Sequence, residues 1–348
     1  MLEKAKRLLR LGRQEQRGTT LRDPDGWRTI WGVESAAGVT VTPEAALTHA
    51  AVLAAVRLLA ETVASLPIIL YRRLPDGGKV RATEHPLYHL LHLRPNPRMA
   101  AFSLKEALQA SLALYGNGYA LIDWGPDGRP AALWPLLPTM VTPEQDPDTG
   151  ELRYRVQTRK GSTVLPSHQV LHIPGFSFDG LVGKSPITLA REAIGLALAQ
   201  DEHGAAFFAR GARMSGILTY PGALSPEARE RLRKGWEAMA NGRDNAWRTA
   251  VLEDGMKFEP LTIPNKDAEW LAARKFSVNE VARIFRVPPH LIGDLERATF
   301  SNIETQSLEF LTYSLRPWLT RWEESLTVQL LTPAEQETYF VEFLTADL

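Results

Sequence analysis

Residues 42–71 constrain the fold more than any other stretch, because they pass from a one-sided helix straight into an apolar strand. Thr42 stands where a helix N-cap belongs, with Pro43 at the first helical position. Val52, Val56, Leu59, Val63 and Leu66 then step by 4, 3, 4 and 3, which gathers them into one stripe. The spacing predicts one helix over 42–66 with that face buried. Pro67 ends it, Ile68 to Tyr71 read as a strand, and Asp76-Gly77-Gly78 as a turn.

The chain has 348 residues, room for two compact units or one elaborated one. Hydrophobic residues make up 44%, enough for a packed core. Lys plus Arg and Asp plus Glu are 40 each, so the formal charge is zero. That excludes coating nucleic acid by bulk charge and leaves local contact open. With no cysteine, disulfides, thiolate nucleophiles and zinc–cysteine sites are excluded, and a reducing cytosol fits. The chain has no run of about 18 apolar residues, so no membrane-spanning segment is expected. The N-terminal MLEKAKRLLRLGRQEQR, with six basic residues, reads as a solvated amphipathic arm without a signal peptide's cleavage site.

Further on, helix and strand do not alternate regularly. A helix is expected over 103–115, with capping-box spacing at Ser103 and Glu106 and Gly116 at its stop. Residues 118–173 read as a β-rich block: strands at 118–124 and 131–137, then Leu152, Tyr154 and Val156 alternating with Arg153, Arg155 and Gln157. Ser185-Pro186 opens a helix to about Arg210. A small α/β unit at 214–262 follows, with strands near 216–220 and 248–258 and a helix capped by Ser225-Pro226. Its apolar face carries Leu232, Trp236 and Met239. A helix over about 265–286, the turn Val287-Pro288-Pro289, a polar stretch to Asn302 and a long helix over 303–331 complete the order. Pro317 predicts a kink in that last helix. Residues 339–348 read as the start of a further element. The layout is α+β and matches neither a doubly wound sheet nor a TIM barrel.

Four constellations touch on chemistry. His85, His89 and His92 have one-face helical spacing that suits a metal, but no carboxylate or HExxH core accompanies them, so ordinary histidines are expected. GFSFDGLVGKSP (175–186) ends like a P-loop in Gly183-Lys184-Ser185, yet position 178 is Phe where that loop needs glycine. The plainer reading is Ser185 as N-cap with Pro186 at the first helical position; a nucleotide hydrolase using Lys184 is the enzyme-class rival. The same stretch misses G-x-S-x-G because position 179 is Asp. Residues 277–294 read like half of a helix-turn-helix, which makes a DNA-binding regulator the alternative function. No catalytic set, cofactor or metal site is expected.

Taken in order, several segments carry a resemblance: AVLAAVRLLAETVASLPIILYRR (51–73), EHPLYHLLHLRPNP (84–97), LYGNGYALI (114–122), GLVGKSPI (180–187), FFARGARMSGILTYPG (207–222), ARIFRVPPHLIGD (282–294) and SNIETQSLEFLTYSLRPWL (301–319). Together, over roughly residues 40–331, the chain resembles the portal proteins of tailed bacteriophages, the HK97-type family.

The resemblance implies a portal fold: a mixed α/β wing, a two-helix stem, a small α/β clip and a long kinked wing helix. Residues 1–40 would be an N-terminal arm and 41–184 the first part of the wing. Residues 185–213 and 263–287 would be the stem helices and 214–262 the clip. Residues 288–302 would be the tunnel loop, 303–331 the long wing helix and 332–348 the start of a reduced or truncated crown. It implies a non-enzymatic subunit of a ring, usually of twelve, at one capsid vertex, through which viral DNA is packaged and ejected. Expected partners are further copies of the chain, double-stranded DNA held without sequence preference, the terminase large subunit, the major capsid and scaffold proteins and a head–tail adaptor; no membrane is expected. The expected location is the virion's portal vertex, with host cytoplasm before assembly. In the tunnel loop Arg297, Thr299, Phe300, Ser301 and Asn302 would meet DNA. Lys275, Arg283 and Arg286 would face the channel from the stem, and Arg243, Asn245, Trp247 and Arg248 would face motor or adaptor from the clip.

Overall fold

The computed structural model describes residues 33–146, 148–159, 161–209, 216–240, 255–260, 266–294 and 306–345. Strands β1 (Val33–Glu34) and β2 (Thr40–Val41) form a short antiparallel pair. The single helix expected over 42–66 is two: α1 (Pro43–Ala46), capped by Thr42 Oγ1, and α2 (Ala50–Ser65). The break follows from packing rather than from a breaker residue. His49, at the N-cap of α2, is buried with its Nε2 3.8 Å from Asp201 and 3.5 Å from Ser277 Oγ. The stripe itself is as the spacing predicts, and Val52, Val56, Leu59, Val63 and Leu66 are all buried.

β3 (Ile68–Arg73) and β4 (Lys79–Arg81) form a hairpin, followed by α3 (Pro86–His92) and α4 (Ala101–Tyr115). α4 starts two residues before Ser103, so the expected capping box is absent; the Ala101 N–H donates instead to Leu93 O at 3.0 Å. Gly116 closes α4 at φ 77°, as its position predicts. β5 (Asn117–Trp124) and β6 (Pro130–Leu136) form a second hairpin, and β7 (Val141–Gln145), β8 (Leu152–Thr158) and β9 (Gly161–Pro166) a separate three-stranded sheet. β10 (Val170–Pro174) returns to pair antiparallel with β5. On β8, Tyr154 and Val156 are buried and Arg153, Arg155 and Gln157 are not.

α5 (Pro186–Leu189) and α6 (Arg191–Ala209) replace the one helix expected from 185. The insert contains β11 (Gly216–Thr219), α7 (Pro226–Ala240) and β12 (Lys257–Pro260), with β11 and β12 antiparallel. Its one described aromatic contact joins Trp236 to Phe258, with ring centroids 5.1 Å apart. α8 (Lys266–Phe285) packs against both α2 and α6. The irregularity expected at Pro317 takes the form of a π-helical turn, Phe310–Leu315, leading into α9 (Arg316–Leu330). The Arg316 N–H donates to Leu311 O, five residues back, just before a proline that has no N–H to give.

α10 (Pro333–Thr338) opens on a capping box between Thr332 and Glu335. The segment expected to begin a new unit does the opposite. β13 (Tyr339–Phe343) pairs antiparallel with β3, with Val341 opposite Leu70, and completes that sheet. α9 lies over the outer edges of both this sheet and the β10–β5–β6 sheet. Trp322 of α9 is buried, edge-on to Phe343 with centroids 6.2 Å apart, and its Nε1 donates to Gln109 Oε1 of α4 at 2.8 Å.

Candidate functional site

Three features bear on function: the C-terminal end of α8, the short segment after it, and the loop between β10 and α5. α8 stops at Phe285 because Arg286 turns into the left-handed region, φ 56°, a conformation that costs a side-chain-bearing residue about 1 kcal/mol or more. The Val287 N–H reaches back to Ala282 O at 2.9 Å, and the Ser314 hydroxyl donates to Arg286 O. The π-helical turn is thereby tied to the end of α8.

Of the stem residues expected to face a channel, Lys275, Arg283 and Arg286 are all exposed. The Arg283 guanidinium lies 5.8 Å from the centre of the Phe276 ring. Arg321 belongs near this end too. Burial and the neighbouring Arg286 charge both lower its pKa, and it donates to Pro317 O at 3.3 Å. Nothing in the sequence order pairs Arg286 with Arg321; only the fold does.

After α8, Pro289–Ile292 form a 3-10 turn rather than a second helix, so the half helix-turn-helix at 277–294 lacks a recognition helix. The ends of the segment are pinned: Asn279 Nδ2 donates to Asp294 Oδ2 at 3.1 Å, and His290 Nδ1 sits 2.7 Å from Gln306 Oε1. Arg297, Thr299, Phe300, Ser301 and Asn302 lie outside the described residues, as do Arg243, Asn245, Trp247 and Arg248.

The loop 175–184 is built by its own polar atoms. Ser177 Oγ donates to Asp179 Oδ1 at 2.6 Å and accepts from Gly180 N at 3.0 Å. Asp179 Oδ1 also accepts from Leu181 N at 2.8 Å and Val182 N at 2.9 Å. A P-loop would leave those N–H groups free for phosphate; here they are consumed. The Ser177 hydroxyl, then the backbone donors, hold the Asp179 carboxyl at a pKa of about 2. Ser185 is the N-cap of α5, accepting from Thr188 N at 3.2 Å and donating to Leu114 O at 2.6 Å. The plain reading of that segment is therefore the right one.

Behind the loop runs a buried relay. Asn117 Oδ1 accepts from Gly183 N at 2.8 Å and its Nδ2 donates to Gly183 O at 2.8 Å. His172 Nε2 lies 2.9 Å from Asn117 Oδ1 and His172 Nδ1 3.0 Å from the Tyr154 hydroxyl. With Asn117 Oδ1 accepting, the proton belongs on Nε2 and Tyr154 donates to Nδ1. Burial pushes the His172 pKa down to about 4, so the ring is neutral at pH 7.

The three histidines of 85–92 do not form a ligand face. His85 is the N-cap of α3 and lies 3.4 Å from Glu335, while His92 Nδ1 faces Ile68 O at 3.3 Å. Among the described residues no cluster of three His, Asp or Glu could hold a metal, and no helix is long and apolar enough to cross a membrane.

The family model of the phage portal protein matches residues 50–348. The chain belongs to the phage portal protein family. A probable portal protein of Streptomyces phage phiC31 is 37% identical over 327 residues, covering 90% of this chain and 70% of the relative. The solved HK97-family phage portal protein from Corynebacterium diphtheriae has the same fold, with a TM-score of 0.66 at 21% identity, covering 88% of this chain and 97% of that one. A chain in the neck of a native gene transfer agent particle, solved with C12 symmetry, gives a TM-score of 0.61 at 26% identity over 87% and 84%. Phage portal proteins are structural components of the virion capsid, and the mixed helix-and-sheet fold is the portal one.

Proposed function

We propose that this chain is the ring-forming subunit through which viral DNA is packaged and ejected at one capsid vertex. The observation that carries the reading is the pair α6 and α8. They pack side by side, with Arg274 3.4 Å from Asp201 across them, while the β11–α7–β12 insert joins their far ends in sequence. That is the arrangement a two-helix stem with a clip requires. Residues 41–184 and the helix ending at Leu330 then serve as wing, and 288–302 as the loop projecting into the channel.

In this reading the insert docks a terminase motor during filling and a head–tail adaptor afterwards, and the wing meets capsid and scaffold proteins. The channel passes double-stranded DNA without reading bases. A formal charge of zero suits a conduit, because strong phosphate binding would resist sliding. Arg283 and Arg286 offer local phosphate contacts at the end of the stem. The twelvefold neck to which the chain is similar supports a ring of about a dozen.

Light scattering followed by negative-stain imaging of the purified chain tests the ring. Annular particles of about a dozen subunits are expected; a compact dimer with sequence-specific DNA affinity overturns the reading in favour of a regulator. Deletion of residues 294–301 tests the loop: packaging should fail while the ring persists, and normal packaging removes the loop's assigned role.

A further inference from the structure

The loop between β10 and α5 holds Phe176 and Phe178 in water. They are 55% and 73% exposed, with ring centroids 5.3 Å apart at an interplanar angle of 79°. Leu181 beside them is also exposed. Single exposed apolar side chains are ordinary, but a fixed edge-to-face pair of rings is not.

The rigidity is built at three levels. Ser177 and Asp179, placed between and after the rings, tie up the loop's own N–H groups. The loop's two ends are laced together and to the end of α4, with Lys184 N donating to Phe176 O at 2.7 Å and Gly175 N to Gly116 O at 2.8 Å. Beneath, Asn117 grips Gly183 by both amide atoms and is itself held by buried His172. A loop meant to adapt to changing partners would leave these groups free. One so fixed fits a preformed surface, because its ordering cost is met before binding.

We infer that the edge-to-face Phe176–Phe178 pair is a subunit anchor, inserted by each copy of the chain into the outer helical layer of its neighbour. This rests on the ring reading above and gives it a contact. The receiving layer is α2 and α6, both packed against α8, which carry outward Leu53 and Leu196. A knob on one part of a chain and a receptive face on another make a heterologous contact, the kind that closes into a ring. Paired aromatics entering an apolar pocket are the usual centre of such an interface. DNA is a poor occupant, because the Asp179 carboxylate beside the rings is set against Lys184 and leaves the loop no net positive charge for phosphate.

The test uses the full chain and follows its assembly on dilution by mass photometry. Replacing both rings, Phe176→Ser with Phe178→Ser, should raise the concentration at which rings dissociate at least about tenfold while leaving the melting temperature of the monomer unchanged. Asp179→Ala keeps both rings and frees the loop, and should shift dissociation in the same direction. A benzophenone attached at Phe178→Cys should crosslink to peptides of α2 or α6 from a second copy. A wild-type ring whose dissociation the double variant leaves unchanged overturns the inference alone, as does crosslinking only to a different protein. A wild-type chain that stays monomeric at every concentration removes the ring reading and the anchor with it.

Discussion

Gln329 and His172 exchange two hydrogen bonds through one side-chain amide: His172 N donates to Gln329 Oε1 at 2.8 Å, and Gln329 Nε2 donates to His172 O at 2.7 Å. The amide of a helix residue thus stands in for the next strand on the open edge of β10. Two turns of α9 do the same for β13, where Thr327 Oγ1 accepts from Val341 N at 3.1 Å and Glu323 Oε1 from Phe343 N at 2.8 Å. One helix thereby blunts the edges of two sheets, which would otherwise be templates for pairing with another chain.

Gln329→Leu keeps the bulk and strands both His172 backbone groups. A loss of about 2 kcal/mol is expected, the usual cost of buried polar groups left unpaired. Urea unfolding should show a lower midpoint at unchanged slope, and the His172 amide should exchange faster. An unchanged midpoint means water takes over the edge.

His172 sets an acid limit on stability. Its folded pKa, lowered by burial to about 4, lies below the unfolded value near 6.5. Between those values the unfolded chain binds the extra proton, so stability is full above the unfolded pKa and falls as pH drops through this window. About 2 kcal/mol should be gone by about pH 5. Burial also lowers the pKa of His49, which contributes a fall in the same direction. The difference between wild type and His172→Gln in denaturant titrations at about pH 7 and pH 5 therefore isolates His172. Equal slopes for the two proteins contradict the buried neutral ring.

The backbone crossing beneath the loop has no room for a methyl group. A Cβ on Gly183 would stand 1.9 Å from Gly116 O. Gly183→Ala should cost about 3 kcal/mol or prevent folding, since backbone rather than a flexible side chain must yield. Gly128, at a hairpin tip with φ 72° and open space around it, is the control. There Gly→Ala should cost about 1 kcal/mol from conformation alone. Thermal melts of the two variants separate contact from dihedral strain.

What the sequence made legible was local. The α2 stripe, the Gly116 stop, the Ser185 cap and the alternation on β8 all follow from neighbours a few residues apart, where periodicity carries the information. What stayed hidden depends on distant partners. β13 is five residues whose pairing edge lies about 270 residues earlier, so its alternation alone reads as an unfinished element. The break at His49 needs Asp201 and Ser277, and the start of α4 needs Leu93 O. For the site, the resemblance located α8 and the segment after it, whereas the aromatic pair at 176 and 178 fell within a stretch read as a failed phosphate or nucleophile motif and was given no role. Its glycines and its Ser-x-Asp spacing are used to fix a surface rather than to hold a ligand.

Lys105 offers the sharpest alkaline test. Its Nζ, buried under α4, donates to Leu66 O, the last carbonyl before Pro67. Burial lowers its pKa to about 8. Below that value both folded and unfolded chains hold the proton and the buried charge weighs on stability in full. Above it the folded chain releases a proton that the unfolded chain keeps until about 10.5, so stability rises with pH through this window. The gain should reach about 2 kcal/mol by about pH 9.5. Lys105→Met should abolish the rise. At pH 7 it should leave stability within about 1 kcal/mol of wild type, because relief of the buried charge offsets the lost bond to Leu66 O. Denaturant midpoints at about pH 7 and pH 9.5 for both proteins decide it: a wild-type midpoint that stays flat or falls means the ammonium reaches water.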